Sequence, residues 1–115
     1  MLILPIKKKW FDLILSGEKK EEYRALSPYY WSRFQRIFSI HPITGEPLGG
    51  DVHDILLRNG YSGNSPTIRV SAALAIRGGR PEWGAVPGEK YFVLEIQKIQ
   101  WAGIRPEQGE KQQCS

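Results

Sequence analysis

The segment 68–77 constrains the fold of this chain more than any other. Ile68, Val70, Ala72, Leu74 and Ile76 alternate with Arg69, Ser71, Ala73, Ala75 and Arg77. Successive side chains of a strand point to opposite faces, so this pattern predicts a strand with one buried and one wetted side. A second strand is expected over 91–101, where Phe92, Leu94 and Ile96 share one parity and Ile99 and Trp101 the other. A β-bulge near Gln97 and Lys98 accounts for the switch, and bulges are how small sheets curl. Residues 52–58, through Ile55-Leu56-Leu57, predict a third strand.

The first third reads differently. Leu2-Ile3-Leu4 is a short apolar run ended by Pro5, consistent with a buried strand feeding a helix. Over 6–16 the period is helical: Ile6, Trp10, Phe11, Leu13, Ile14 and Leu15 fill one arc, and Lys8, Lys9, Asp12 and Ser16 the other. Lys7 falls within the apolar arc, between Phe11 and Ile14. It either snorkels to water from the rim or points into a pocket where an acid or anionic ligand partners it. Gly17 suits the positive φ of a helix C-terminus. Residues 19–25 then predict a strand with Glu22 and Arg24 on one face and Glu21 and Tyr23 on the other, Tyr23 packing. Ser27-Pro28 opens a second helix as N-cap and first-turn proline. Tyr30, Trp31, Phe34, Ile37 and Phe38 form its apolar face, opposite a stripe of Tyr29, Arg33 and Arg36 that is either a solvated helix face, the commoner case, or a phosphate-tracking surface. Segments 41–50 and 78–88, rich in glycine and proline, are loops.

Two helices in the N-terminal third followed by consecutive strands predict an α+β fold whose five-stranded sheet curves into a small β-barrel. At 115 residues one domain is expected, spanning 1–101, with a mobile polar tail over 102–115. The apolar start precedes its lysines, the reverse of a secretory leader, and no stretch reaches the roughly 20 apolar residues of a bilayer span. A cytoplasmic, membrane-free protein is therefore expected; the sequence leaves the oligomeric state open, a monomer being preferred. A single cysteine, Cys114, agrees with a reducing compartment.

Residues 1–36 hold eight bases and four acids, and the remainder holds eight of each, so the net charge of +4 arises in the first third. Such an excess suits an anionic ligand or a solubilising surface. Two histidines and one cysteine provide no zinc-site spacing, and the glycine-rich loops lack the phosphate-loop lysine. No metal and no cofactor is implied.

The run Gly17-Glu18-Lys19-Lys20-Glu21-Glu22-Tyr23-Arg24 carries the remaining chemistry. It matches G-x-K-x-x-E-x-R at Gly17, Lys19, Glu22 and Arg24, after a helix with a lysine, Lys7, near its start. In this the chain resembles the ASCH family of small PUA-like barrels. Physically, Glu22 can hold the Arg24 fork on one strand face, while Lys19, at odd parity to both, joins them only if the turn redirects it. A structural ion pair locking helix to sheet is the alternative use of the same residues.

The resemblance implies a basic cleft for RNA or a nucleotide-like ligand. Lys7, Lys19, Glu22 and Arg24 would build it; Tyr61 and Trp83 on the long loops would either stack a base or simply anchor their loops, and Arg58, Asn59 and Arg80 would bond beside them. It also implies a second function, hydrolysis of RNA or of a modified nucleoside such as N4-acetylcytidine, with Lys19 and Glu22 catalytic. Here the chain departs from the family's amidohydrolases: Glu22 stands where they carry a threonine, and only the loop position of Glu82 suggests it as their separate glutamate.

Overall fold

The computed structural model describes residues 1–103. Its elements are β1 (Ile3–Pro5), α1 (Lys8–Leu15), β2 (Glu21–Arg24), α2 (Pro28–Phe34), β3 (His53–Arg58), β4 (Thr67–Arg77) and β5 (Tyr91–Gly103), with one 3-10 turn at Pro81–Trp83. The fold is α+β: two helices against a five-stranded mixed sheet of order β1-β3-β4-β5-β2. β1 pairs parallel to β3, and all other pairs are antiparallel.

β4 follows its alternation. Ile68, Val70, Ala72 and Leu74 are buried and the residues between them are half exposed. These side chains meet Leu4, Phe11, Ile14, Phe34, Phe38, Ile55, Leu57, Phe92 and Leu94 in one continuous core. The Ser27 hydroxyl accepts from the Tyr30 amide and Pro28 occupies the first turn, so α2 begins where its cap dictates.

β5 carries two bulges. Ser71 faces Lys98 while Ala72 faces Ile96, leaving Gln97 extra, and Arg69 faces Trp101 while Val70 faces Ile99, leaving Gln100 extra. Opposed residues share a face, so Ile96 and Ile99 turn inward with Ala72 and Val70. The second bulge turns Trp101 outward with Arg69, and 37% of its surface is exposed. Two added residues in one strand increase the local twist, and the sheet curls strongly into a half-barrel.

The predicted closure stops there. β1 and β2 are the sheet's two edges, with no backbone ladder between them. The seam is spanned by a side chain: Arg24 Nη2 donates to the Pro5 carbonyl at 2.7 Å.

Some boundaries move. The first helix starts at Lys8 rather than 6, because Ile6 still donates to the Arg58 carbonyl at 2.8 Å and Lys7 is extended at the N-cap. Lys19 and Lys20 precede the strand that starts at Glu21. The expected tail begins late, since Ala102 and Gly103 still pair with Ile68 and Thr67; the rest of that tail, with Cys114, lies outside the described residues. Among the described residues no helix is long and apolar enough to cross a membrane.

Candidate functional site at the open seam

The site begins with the exit from α1. Gly17 has φ +87°, the left-handed conformation that only glycine adopts without strain. The chain doubles back so that the Lys19 amide donates to the Leu13 carbonyl at 2.9 Å. Lys19 therefore lies outside the strand, and strand parity does not govern it. Its side chain runs under β2, where the ammonium donates to the Glu21 carbonyl and, at 2.6 Å, to Glu22 Oε1. Arg24 Nη1 donates to the other carboxylate oxygen, Oε2. Glu22 is thus held between two cations, with Trp10 and Tyr23 rings 5.5 and 5.2 Å from the ammonium.

The depth of the three groups differs. Relative side-chain exposure is 0% for Lys19, 6% for Glu22 and 12% for Arg24. Burial holds the Lys19 ammonium below the ordinary lysine range, against the opposing pull of the Glu22 carboxylate. Both Glu22 oxygens are occupied and the Lys19 amine is sealed beneath them. As arranged, the pair presents a fixed electrostatic floor rather than a free base and acid.

Above this floor lies a cleft of about 310 Å³, at the lower end of ligand-site volumes. Pro5, Ile6 and Lys7 form one rim, Glu22, Tyr23 and Arg24 the floor, and Trp10, Tyr30, Trp83 and Gly84 the walls. It occupies the gap between the two sheet edges. Lys7 is exposed at the lip, which selects the rim placement over a buried one. Arg24 lies 5.9 Å from the Tyr30 ring centroid, so α2 covers one end of the seam.

The 78–88 loop is drawn in by two glycines. A Cβ on Gly79 would overlap the Tyr23 ring, and one on Gly84 would come 3.0 Å from Trp10. The Tyr23 hydroxyl accepts from the Arg80 amide at 2.9 Å and donates to Glu21 Oε1 at 2.7 Å. Burial, with the Glu21 carboxylate beside it, pushes the phenol up to about 12. Burial of Glu21 is outweighed by its bonds from Arg77 and Tyr23, which hold its carboxyl below the usual range. Arg77 also binds Glu95. This cluster ties the loop's anchor to the sheet.

The residues expected at the site divide. Lys7, Glu22, Arg24 and Trp83 converge on the cleft, and Lys19 supports it from beneath. Arg80 stacks on Trp83 at 4.9 Å and pairs with Glu82 at 3.5 Å, both on the exposed outer side of the loop. Asn59 donates to the Ile6 carbonyl at 3.0 Å, positioning the rim from behind. Arg58 reaches Thr67 Oγ1 on the neighbouring strand. Tyr61 is 90% exposed and takes no part in the lining. Trp10, Tyr23 and Tyr30 line the cleft without having been assigned to it. The i, i+3 spacing of Lys7 and Trp10 was the available signal for the first. Among the described residues no three His, Cys, Asp or Glu side chains gather as metal ligands.

Comparison of the chain with protein-family models, with curated proteins and with solved structures finds no match.

Proposed function

We propose that this protein is an ASCH-type, PUA-like module, acting in the cytoplasm as a monomer, that binds RNA or a nucleotide-like ligand in the seam cleft. One observation carries the reading: four aromatic side chains, Trp10, Tyr23, Tyr30 and Trp83, and two cations, Lys7 and Arg24, converge on a single cleft. Aromatic faces take bases of any kind by stacking, and cations beside them take the phosphate. Lys19 and Glu22 offset each other, so Arg24 leaves the floor with a net positive charge that favours an anionic ligand.

The chain's own residues have distinct tasks in this reading. Trp83 presents a stacking face whose position depends on the Gly79 and Gly84 contacts. Lys7, free at the lip, supplies a movable ammonium for phosphate. Arg24 is fixed by Glu22, the Tyr23 carbonyl and the Pro5 carbonyl, so its charge is already in place before a ligand arrives. Lys19 and Glu22 act as positioning residues. The hydrolytic alternative has less support, because it needs one of them released from these bonds.

Titration of a short fluorescent single-stranded RNA at about 50 and about 200 mM salt tests the proposal, with product length read on a gel. Trp83→Ala is expected to cost about 1–3 kcal/mol of binding, the range for one base stack. Lys7→Ala is expected to lower the salt slope by about 0.7, one single-strand phosphate. Unchanged binding in both variants, or no binding at low salt, refutes the proposal. Shortened RNA that Glu22→Gln leaves intact would favour the hydrolase.

A further inference from the structure

We propose that the groove between β1 and α2 is a phosphate track leading away from the cleft. Arg33 and Arg36 at its far end would hold the backbone of a single-stranded RNA whose base occupies the cleft. The inference rests on the proposed cleft reading and specifies its ligand as a strand rather than a free nucleotide.

The two cavities draw on β1 and on α2 with its following turn in opposite chain order. Pro5 and Ile6, at the end of β1, line the cleft together with Tyr30 from the start of α2. Met1 and Leu2, just before β1, line a second cavity of about 400 Å³ with Arg33 near the end of α2 and with Arg36 and Ile37 in the turn that follows it. From Leu2 to Ile6 the chain advances about 13 Å at strand rise, further than one nucleotide's own phosphate reaches from a stacked base. A ligand that touches both cavities is therefore an oligonucleotide.

The charges at the far cavity are uncommitted. Arg24, Arg69, Arg77 and Arg80 each sit in an ion pair, whereas Arg33, Arg36 and Arg58 are in none among the described residues, and of these three Arg58 is bonded to Thr67 Oγ1. No acidic residue occurs between Glu22 and Glu46, a stretch that contains three arginines. An ordinary solvated helix face would intersperse acids at the i±4 positions. Arg33 is also held in place: its guanidinium lies 3.5 Å from the Tyr29 ring centroid and Nη1 donates to the Tyr29 carbonyl at 3.3 Å. A stacked, planar fork with no carboxylate partner matches phosphate.

The test measures binding of oligouridylates of increasing length, from the mononucleotide to the tetranucleotide, by quenching of tryptophan fluorescence at two salt concentrations. The wild-type protein is expected to gain about tenfold or more in affinity with length. Arg33→Gln/Arg36→Gln should lose that gain and lower the tetranucleotide salt slope by about 1.4, two single-strand phosphates. Its mononucleotide affinity should match the wild type. Arg33→Lys/Arg36→Lys, which keeps the charge, should retain most of the slope, and circular dichroism confirms the fold of each variant. A length gain that survives in the glutamine variant overturns the track. So does a wild type that binds the mononucleotide as tightly as the tetranucleotide, which leaves the cleft reading standing. Failure to bind at any length overturns the cleft reading and the track with it.

Discussion

Replacing either member of the Lys19–Glu22 pair exposes how the motif is balanced. The ammonium and carboxylate are 2.6 Å apart with side chains 0% and 6% exposed, so neither can recruit water when its partner is lost. Breaking such a buried pair costs about 3–5 kcal/mol, but the two sides are not equivalent. Lys19→Met leaves Glu22 still bonded to Arg24, placing its cost at the lower end, about 3 kcal/mol. Glu22→Gln leaves the ammonium with the Glu21 carbonyl and a neutral amide, and leaves Arg24 unneutralised, for about 3–5 kcal/mol. The double variant removes the stranded charge along with its partner and should fall short of the summed losses by about 2 kcal/mol. Urea unfolding followed by tryptophan fluorescence measures all three. At about 1–3 kcal/mol per molar urea, the Glu22→Gln midpoint should drop by at least about 1 M. Additivity within about 0.5 kcal/mol, or a Glu22→Gln cost below about 1 kcal/mol, would show that the pair behaves as a solvated one.

The pH dependence supplies an independent check on the same ammonium. Its folded pKa lies below the unfolded value, so the unfolded chain binds more protons between the two. Stability contributed through Lys19 should therefore rise with pH across that window, and Lys19→Met should lack the rise. Tyr23 has the opposite sign: with its phenol pushed up to about 12, the folded state holds the proton longer. Its contribution is lost as pH climbs from about 10 toward 12, and the wild-type minus Tyr23→Phe difference in absorbance at about 295 nm should place that transition. Gly79→Ala forces a methyl into the Tyr23 ring and Ala85; it should cost about 1–3 kcal/mol in a thermal melt and weaken RNA binding by displacing Trp83. Tyr61→Ala should change neither binding nor stability beyond about 0.5 kcal/mol, since Tyr61 lines no part of the cleft.

What the sequence disclosed was local. The alternation in β4, the caps of α2 and the glycine after α1 each depend on near neighbours, and each stands where periodicity and capping chemistry place it. The first bulge was legible because Ile96 and Ile99 differ in parity. The second was not, because Ile99 and Trp101 share parity and nothing marked Gln100 as the extra residue; only the pairing of Arg69 with Trp101 reveals it. Within the site, the Glu22–Arg24 pair followed from a spacing of two. Lys19 could not be placed by parity, since the turn that directs it is set by a bond back to Leu13. Tyr30 and Trp83 join the cleft by long-range packing, which no local pattern encodes. Tyr61, an aromatic in a loop, carried the same sequence signal as Trp83. What separates them is that Gly79 and Gly84 press one loop onto Tyr23 and Trp10, and no comparable contact draws the other in.

The open seam explains why the cleft lies where it does. Had β1 and β2 paired, backbone bonds would have filled the space between them, leaving no concavity at the motif. Both edges are poor templates for pairing: β1 has three residues and ends in Pro5, which lacks a donor, and β2 has four residues, three of them charged. Arg24 spans the gap from one edge to the carbonyl of the other, so the gap is bridged at its floor and open above. The same guanidinium therefore holds the half-barrel's edges in register and lies in the cleft floor. A lysine there would keep the charge but could not bind Glu22 and Pro5 together through a planar fork. In the proposed reading, structure and recognition meet in one side chain, so loosening the seam and weakening the proposed ligand site should be inseparable at Arg24 yet separable at Lys7 and Trp83.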